Sequence, residues 1–286
     1  MRAPITFAAA VLCLALAAPA FAQVVQITTN VSVNTTWGPT GTVVGTTFWV
    51  RNSMAVNPGV TLTIQPGVVV KFDNSRSLTV NGTLSAIGTV ADTVVFTSIH
   101  DDNNRAGDTN ANGNTTLPNP SDWFYLRFAD ASPDNSQLTF CDIRYAGAGA
   151  NGALSFDNSS HSVTNCVIRR SHYGVDCQGT SAPTLTNTSI EASTQTPIVI
   201  DLTANPVFSS LVFSSANNQY DAIGLRGGTL ATIATLPKRG ATIGGNTIGN
   251  VTYVLLGSLT ISPTGSLTVS PGVVLKPTAA FAINVQ

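Results

Sequence analysis

A strand pattern that returns every 22 to 25 residues is the feature of this sequence that most constrains its fold. The aligned copies are LTFCDI at Leu138–Ile143, VTNCVI at Val163–Ile168, LTNTSI at Leu185–Ile190 and FSSLVF at Phe208–Phe213. Between these copies a second short strand pattern recurs, with paired apolar residues such as Leu154 and Phe156. Two strand patterns at this period predict a parallel β-helix, because each coil buries its alternate apolar side chains beneath those of the next coil. A β-sandwich would show hairpin spacing without this register.

A longer block occurs twice and predicts how the domain is organised. The sequence NPGVTLTIQPGVVVK begins at Asn57, and its counterpart SPTGSLTVSPGVVLK begins at Ser262, 205 residues later. Both copies alternate apolar residues with Thr or Ser and break at Pro-Gly turns, which is typical of short strands. We expect one β-helix over residues 23–250, with N-terminal capping strands and a polar loop at 100–122. Residues 251–286 are expected to start a second block that the chain truncates.

The N-terminus carries the features of an export signal. Arg2 supplies a minimal positive region, an apolar stretch follows from residue 5 to residue 18, and Ala20-Phe21-Ala22 forms a small-residue cleavage site. This order predicts a signal peptide over residues 1–22 that is removed before Gln23. The protein is therefore expected to be secreted, either extracellular or at the cell surface.

The charge of the chain argues against two classes of partner. The sequence has 13 basic and 14 acidic residues, a net charge of −1, and only 9% charged residues. A nucleic-acid-binding protein would be expected to carry a basic surface, so we expect no nucleic-acid partner. No segment after the leader is long and apolar enough to predict a membrane-spanning helix.

The coil register assigns structural roles to several reactive or polar residues. Cys141 and Cys166 occupy neighbouring coils at one position, so a disulfide and stacked free thiols both remain open. Cys177 shares its position with core apolar residues and is predicted to be a small buried side chain. Asn165 and Asn187 fall at one turn, where asparagine tolerates left-handed backbone.

The sequence resembles the secreted right-handed parallel β-helix proteins of bacteria, which belong to the pectin-lyase-like superfold. The resemblance rests on PGVTLTIQPGVVVKF, SLTVNGTLSAIGT, VVFTS, the polar loop that closes at Asp122-Trp123, and the VTNCVI-type coils. It implies an all-β, right-handed parallel β-helix, a solenoid. This fold hosts lyases, hydrolases, adhesins and proteins with no known activity, so it does not decide the function.

The polar loop contains a candidate calcium site. Asp108-x-Asn110-x-Asn112-Gly113 matches the first half of an EF-hand loop, in which alternating oxygen ligands converge on a hard cation. The match breaks at the twelfth position, which is Asn119 instead of a bidentate Glu.

Two interpretations of this loop remain open. In the first, Asp101 or Asp102, or else Asp122, supplies the missing charge and Ca²⁺ orders the loop without a catalytic role. In the second, no ion binds, and the Asp and Asn residues are present because they form loops well. A loop of this length without strand pattern is uncommon unless something orders it, which favours calcium.

A charged patch provides the candidate catalytic residues. Arg144, Arg169 and Glu191 occupy one outward position on consecutive coils, with Asp142 and His172 nearby. The resemblance implies two precedents: lyases that hold an acidic polysaccharide over calcium while Arg or Lys removes a proton, and hydrolases that use clustered aspartates. The sequence departs from both, since it lacks an Asn-Thr-Asp strand and a Gly-His-Gly motif. The other interpretation is an Arg169–Glu191 ion pair on a solvated face.

The functional hypothesis from sequence is a non-catalytic module for adhesion or glycan binding. Its support is that no set of acid, base and positioned cation is complete, and that long repeats suit display and binding. The alternative is a polysaccharide lyase or glycoside hydrolase that uses Asp142, Arg144, Arg169 and His172.

Overall fold

The computed structural model describes residues 24–113, 115–214 and 218–286. These residues form a stack of β-strand coils in which three long sheets run along the solenoid. The predicted signal peptide, residues 1–22, lies outside the described residues. No described segment forms a helix with the length and apolarity needed to cross a membrane.

The strands fall into three long sheets, here called A, B and C, and two short ones. Sheet A consists of Val24–Ile27, Thr47–Val50, Val69–Phe72, Val94–Ser98, Cys141–Arg144, Val167–Arg169, Ser189–Glu191, Val212–Phe213, Ala241–Ile243 and Asn246–Ile248. Sheet B consists of Met54–Val56, Leu78–Val80, Leu126–Phe128, Gly152–Asp157, Tyr173–Gln178, Ile198–Ile200, Ile223–Leu225, Tyr253–Leu255 and Leu275–Pro277. Sheet C consists of Val43–Val44, Thr35–Gly38, Thr61–Ile64, Thr83–Ile87, Gln137–Thr139, Ser162–Thr164, Thr184–Thr186 and Val207–Ser209. The short sheets pair Gly228–Leu230 with Leu259–Ile261 and Ile283–Val285, and Ile233–Leu236 with Ser266–Val269.

The strand pairing confirms the predicted coil register. Leu138 pairs with Val163, and Val163 pairs with Leu185. Cys177 lies between Phe156 and Ile200 in sheet B and is fully buried, as predicted. Strands in these sheets pair in parallel, apart from the antiparallel pair at the end of sheet A. The all-β parallel solenoid expected from the repeat is therefore present.

One turn repeats from coil to coil between sheets C and A. Phe140, Asn165, Asn187 and Ser210 all adopt left-handed backbone there, with φ between 46° and 54°. The Asn187 side-chain amide donates a 2.6 Å hydrogen bond to Oδ1 of Asn165. The structural role predicted for the two asparagines is confirmed, since asparagine tolerates this φ better than most residues.

Stacked aromatic side chains fill much of the core. Trp37 lies 4.6 Å from Phe48 and Trp123 lies 4.1 Å from Phe72, measured between ring centroids. Both tryptophans are buried, whereas Trp49 on the outer surface is partly exposed. Parallel rings on neighbouring coils add dispersion energy to the area they bury.

The three described cysteines are free and buried. The backbone amide of Cys141 approaches Sγ of Cys166 at 3.4 Å. Of the two alternatives left open by the sequence, the structure has the stacked thiols. Burial raises the pKa of the Cys141 and Cys177 thiols.

Both ends of the chain join the same stack. The strands within residues 24–56 occupy one end of sheets A, B and C, which is the end that the predicted cap would cover. At the other end, Tyr253–Leu255 pairs with Ile223–Leu225 and with Leu275–Pro277, so sheet B continues across residue 250. The duplicated block thus extends the existing coils.

Candidate functional site

The candidate site lies on the outer face of sheet A, where one row of side chains points away from the core. This row contains Trp49, Lys71, Thr97, Arg144, Arg169 and Glu191. The predicted alignment of Arg144, Arg169 and Glu191 on consecutive coils is confirmed by the pairing register. Outward side chains of a parallel stack lie about 4.8 Å apart, so charges in one row interact strongly.

Asp142 is fully engaged by two arginines of this row. Its Oδ2 accepts hydrogen bonds from Nη2 of Arg144 at 2.6 Å and from Nη2 of Arg169 at 2.5 Å. Its Oδ1 accepts a third bond from Nε of Arg169 at 3.1 Å. Arg169 also lies 3.9 Å from a carboxylate oxygen of Glu191. The structure therefore brings Asp142, Arg144 and Arg169 together, as an ion-pair network.

The network keeps Arg144 protonated. Burial lowers the pKa of the Arg144 guanidinium, but the Asp142 hydrogen bond and the charges of Asp142 and Asp101 outweigh burial and raise this pKa overall. A guanidinium above its usual pKa is a poor proton acceptor.

His172 is not part of this network. Its Nδ1 lies 3.3 Å from the Thr194 hydroxyl, and its ring packs edge-on against Tyr173 with 4.5 Å between centroids. Burial lowers the pKa of His172. The fourth residue of the catalytic alternative thus contacts other partners.

A polar cavity of about 380 Å³ opens beside the arginines. Its lining consists of Asp101, Asn103, Arg144, Tyr145, Arg169 and Arg170. Arg170 is exposed and donates to the Tyr145 hydroxyl at 2.9 Å, and it pairs with no carboxylate in the described part of the chain. Tyr145 and Asn103 could not be identified from the sequence, because neither belongs to a charged pattern.

Asp101 connects this cavity to the polar loop. Its Oδ2 accepts a hydrogen bond from the Thr97 hydroxyl at 2.7 Å and lies 3.2 Å from Nη1 of Arg144. The loop therefore begins directly beside the arginine row.

All five predicted calcium ligands lie in this loop. Asp101, Asp102, Asp108, Asn110 and Asn112 fall between the strands Val94–Ser98 and Leu126–Phe128. Among the residues that the structure describes, no group of three or more His, Cys, Asp or Glu side chains is close enough to hold a metal by itself. Any cation site here must include amide or carbonyl oxygens.

A second charged cluster was missed at the level of sequence. Arg226 donates to Asp176 at 2.5 Å and to Asp201 at 3.0 Å on the outer face of sheet B. Burial raises the pKa of Asp176, although Arg226 and Gln178 oppose the rise. Asp201 and Arg226 directly follow the paired residues Ile200 and Leu225, so the coil alignment contained the signal. The adjoining cavity of about 210 Å³ is smaller than usual for a ligand site.

A larger cavity, of about 570 Å³, is lined by few chemically reactive groups. Its lining comes from Thr180, residues 202–205, residues 232–235 and Pro237, and none of these residues has an ionisable side chain. The arginine cavity is therefore the stronger candidate, because binding sites combine shape with a few convergent polar groups.

Comparison with known proteins supports the fold. Residues 131–269 match a family model described as "Right handed beta helix region". The match and the parallel coils together show a right-handed parallel β-helix fold, which supports the resemblance to the pectin-lyase-like superfold. No curated protein and no solved structure matches the chain significantly.

Proposed function

We propose that this chain is an exported, non-catalytic β-helix module that binds glycans through the arginine cavity on sheet A. The observation that carries the proposal is the double arginine clamp on Asp142, which takes up both carboxylate oxygens of the best-placed candidate base. A general base needs a free lone pair within reach of the substrate proton.

The cavity favours an anionic group on the glycan. Arg169 is one-third exposed and Arg170 is exposed without a carboxylate partner in the described chain. The planar guanidinium presents paired donors that match carboxylate and sulfate groups. The Tyr145 ring, which Arg170 overlies at 5.9 Å from its centroid, adds an apolar surface at the cavity wall.

The export part of the proposal rests on the N-terminal sequence. A charged residue, an apolar stretch and an Ala-x-Ala site are the three elements of a cleaved signal peptide. A rigid stack of coils also suits adhesion, because it presents one surface over a long distance.

The lyase or hydrolase alternative requires the same residues to transfer a proton. It needs Asp142 or an arginine to accept a proton, whereas Asp142 is ion-paired with two arginines and the pKa of Arg144 is raised. It also needs His172 beside them, and that ring packs against Tyr173.

The test is incubation of the purified protein with acidic and neutral polysaccharides, with calcium present or chelated. Native affinity electrophoresis measures retardation of the protein, and size-exclusion chromatography measures the polymer. We expect retardation by an acidic polymer and unchanged polymer length. Shortening of a polymer would replace the proposal with the enzymatic alternative, and absence of retardation by the whole panel would contradict it.

A further inference from the structure

A buried lysine anchors the polar loop to sheet A. Lys71 is fully buried, and its Nζ donates a 2.5 Å hydrogen bond to the carbonyl of Gly107. The same Nζ lies 3.6 Å from Oδ1 of Asp102. Lys276, at the corresponding place in the duplicated block, is exposed. Lys71 is therefore buried by the loop that covers it.

The loop buries several side-chain oxygens that accept no hydrogen bond from any described residue. These atoms are Oδ1 of Asp101, Oδ1 and Oδ2 of Asp102, Oδ1 of Asn110 and Oδ1 of Asn112. Asp101 is 1% exposed, and the Asp102 side chain is 10% exposed. Buried polar atoms in folded proteins are nearly always paired, so these buried acceptors favour a positively charged partner.

Asp108 has a structural role within the pattern that predicts the calcium site. Its Oδ1 accepts the backbone amide of Asn112 at 3.1 Å, and its Oδ2 accepts the amide of Gly113 at 2.7 Å. Gly113 adopts φ of 60°, which favours glycine. Asp108 thus closes the turn that carries Asn110 and Asn112.

Asp122, another residue considered for the missing charge, is already engaged. Its Oδ2 accepts the Ser98 hydroxyl at 2.6 Å and the Asn119 amide at 3.1 Å. Among the buried carboxylate oxygens of the described residues, those without a hydrogen bond belong to Asp101 and Asp102.

We propose that the loop binds one Ca²⁺ ion, with Asp101, Asp102, Asn110 and Asn112 as side-chain ligands. This inference goes beyond glycan binding and does not depend on it. All the donors are hard oxygen atoms, and no His or Cys takes part, which matches calcium or magnesium. Five side-chain oxygens would supply most of the six to eight ligands that calcium takes. Magnesium is usually bound through one or two carboxylates and retains waters.

The local charge favours a cation. Burial lowers the pKa of Lys71, and the charges of Asp102, Asp101 and Asp108 oppose this lowering. The three carboxylates, the Lys71 ammonium 3.6 Å from Asp102 and the Arg144 guanidinium 3.2 Å from Asp101 together carry a net charge of −1. The two protein cations therefore leave negative charge unbalanced, which favours a bound cation.

The test is isothermal titration of chelator-treated protein with CaCl₂ and, separately, with MgCl₂, in the absence of any glycan. We expect one equivalent of calcium to bind, and magnesium to bind at least tenfold more weakly. Asp102→Asn should weaken calcium binding at least tenfold. Asp130→Asn, an exposed carboxylate outside the loop, should change it less than twofold.

A second variant separates a lost ligand from a misfolded loop, since Asp102 also faces Lys71. Asn110→Ala removes one neutral ligand and leaves Lys71 untouched, so it should weaken calcium binding several-fold with an unchanged circular dichroism spectrum. No calcium heat from the wild-type protein at millimolar concentration would overturn the proposal. Equal calcium affinity in the Asp102, Asn110 and Asp130 variants would overturn it as well.

Discussion

The Asp142 carboxylate holds the Arg169 guanidinium from the next coil through two hydrogen bonds, 3.1 Å from Nε and 2.5 Å from Nη2. The same carboxylate also binds Arg144 on its own strand. A single acidic side chain thus ties together two coils by pairing with two arginines. This contact is the basis for treating the site as a binding surface.

Removal of the Asp142 charge should destabilise the solenoid. In Asp142→Asn, two guanidinium groups lose their shared partner, and hydrogen bonds to charged groups contribute about 1.5–3 kcal/mol each. Because the arginines are partly exposed, we expect the free energy of unfolding to fall by about 1–3 kcal/mol in total. The midpoint of urea unfolding measures it.

Asp157→Asn is the matched control for this substitution. Asp157 pairs with Arg127 at 2.6 Å, but both side chains are 30% exposed, so about 0.2–1 kcal/mol should be lost. Equal losses in the two variants would show that the Asp142 clamp is an ordinary surface pair.

His161 should make the protein sensitive to acid. Burial among aromatic rings lowers the pKa of His161 to about 4, and its Nδ1 accepts the Ser136 amide at 3.2 Å. The unfolded chain, with a pKa near 6.5, binds this proton first, so stability is lost as the pH falls from about 6.5 to about 4. The loss reaches about 3 kcal/mol.

His161→Gln retains an acceptor for Ser136 but cannot be protonated in this range. The free energy of unfolding of the wild type should therefore fall by about 3 kcal/mol more than that of the variant between pH 6.5 and pH 4. Carboxylates titrate in both proteins and cancel in this difference. Parallel curves for the two proteins would rule out the role given to His161.

The thiols should be inert until the protein unfolds. Burial raises the pKa of Cys141 and Cys177, and all three described cysteines are nearly inaccessible. Since the thiolate is the reactive form, native protein beginning at Gln23 should not react with a thiol reagent. In denaturant without reductant it should show three thiols. A count of one would demonstrate a Cys141–Cys166 disulfide instead.

The coil architecture could be predicted from the sequence because the repeated strand patterns can be aligned, and the alignment gives the pairing register. The pairings of Leu138 with Val163 and of Arg144 with Arg169 follow directly from the alignment of coils. The left-handed turn at Asn165 and Asn187 follows from residue type and repeat position together.

The site itself was less predictable because it depends on contacts outside the repeat. The sequence placed Asp142 beside the arginines but could not show that both its oxygens are occupied. It grouped His172 with them, although a turn directs that ring towards Thr194. The burial of Lys71 depends on how an irregular loop folds over sheet A, and no periodic pattern encodes such a path.

Glycan binding through the arginine cavity is tested most directly by comparing three proteins: the wild type, Arg170→Gln and Arg51→Gln. The affinity of each for an acidic polysaccharide is measured. Arg170 lines the cavity, whereas Arg51 is an arginine paired with Asp73 elsewhere on the surface. We expect Arg170→Gln to weaken binding about tenfold, since a lost charged hydrogen bond corresponds to about 1.4 kcal/mol or more. Arg51→Gln should weaken it less than twofold, and polymer length should stay constant in all three samples. Equal affinities in all three proteins would rule out glycan binding through the arginine cavity. Shortened polymer with the wild type would show that the protein is an enzyme.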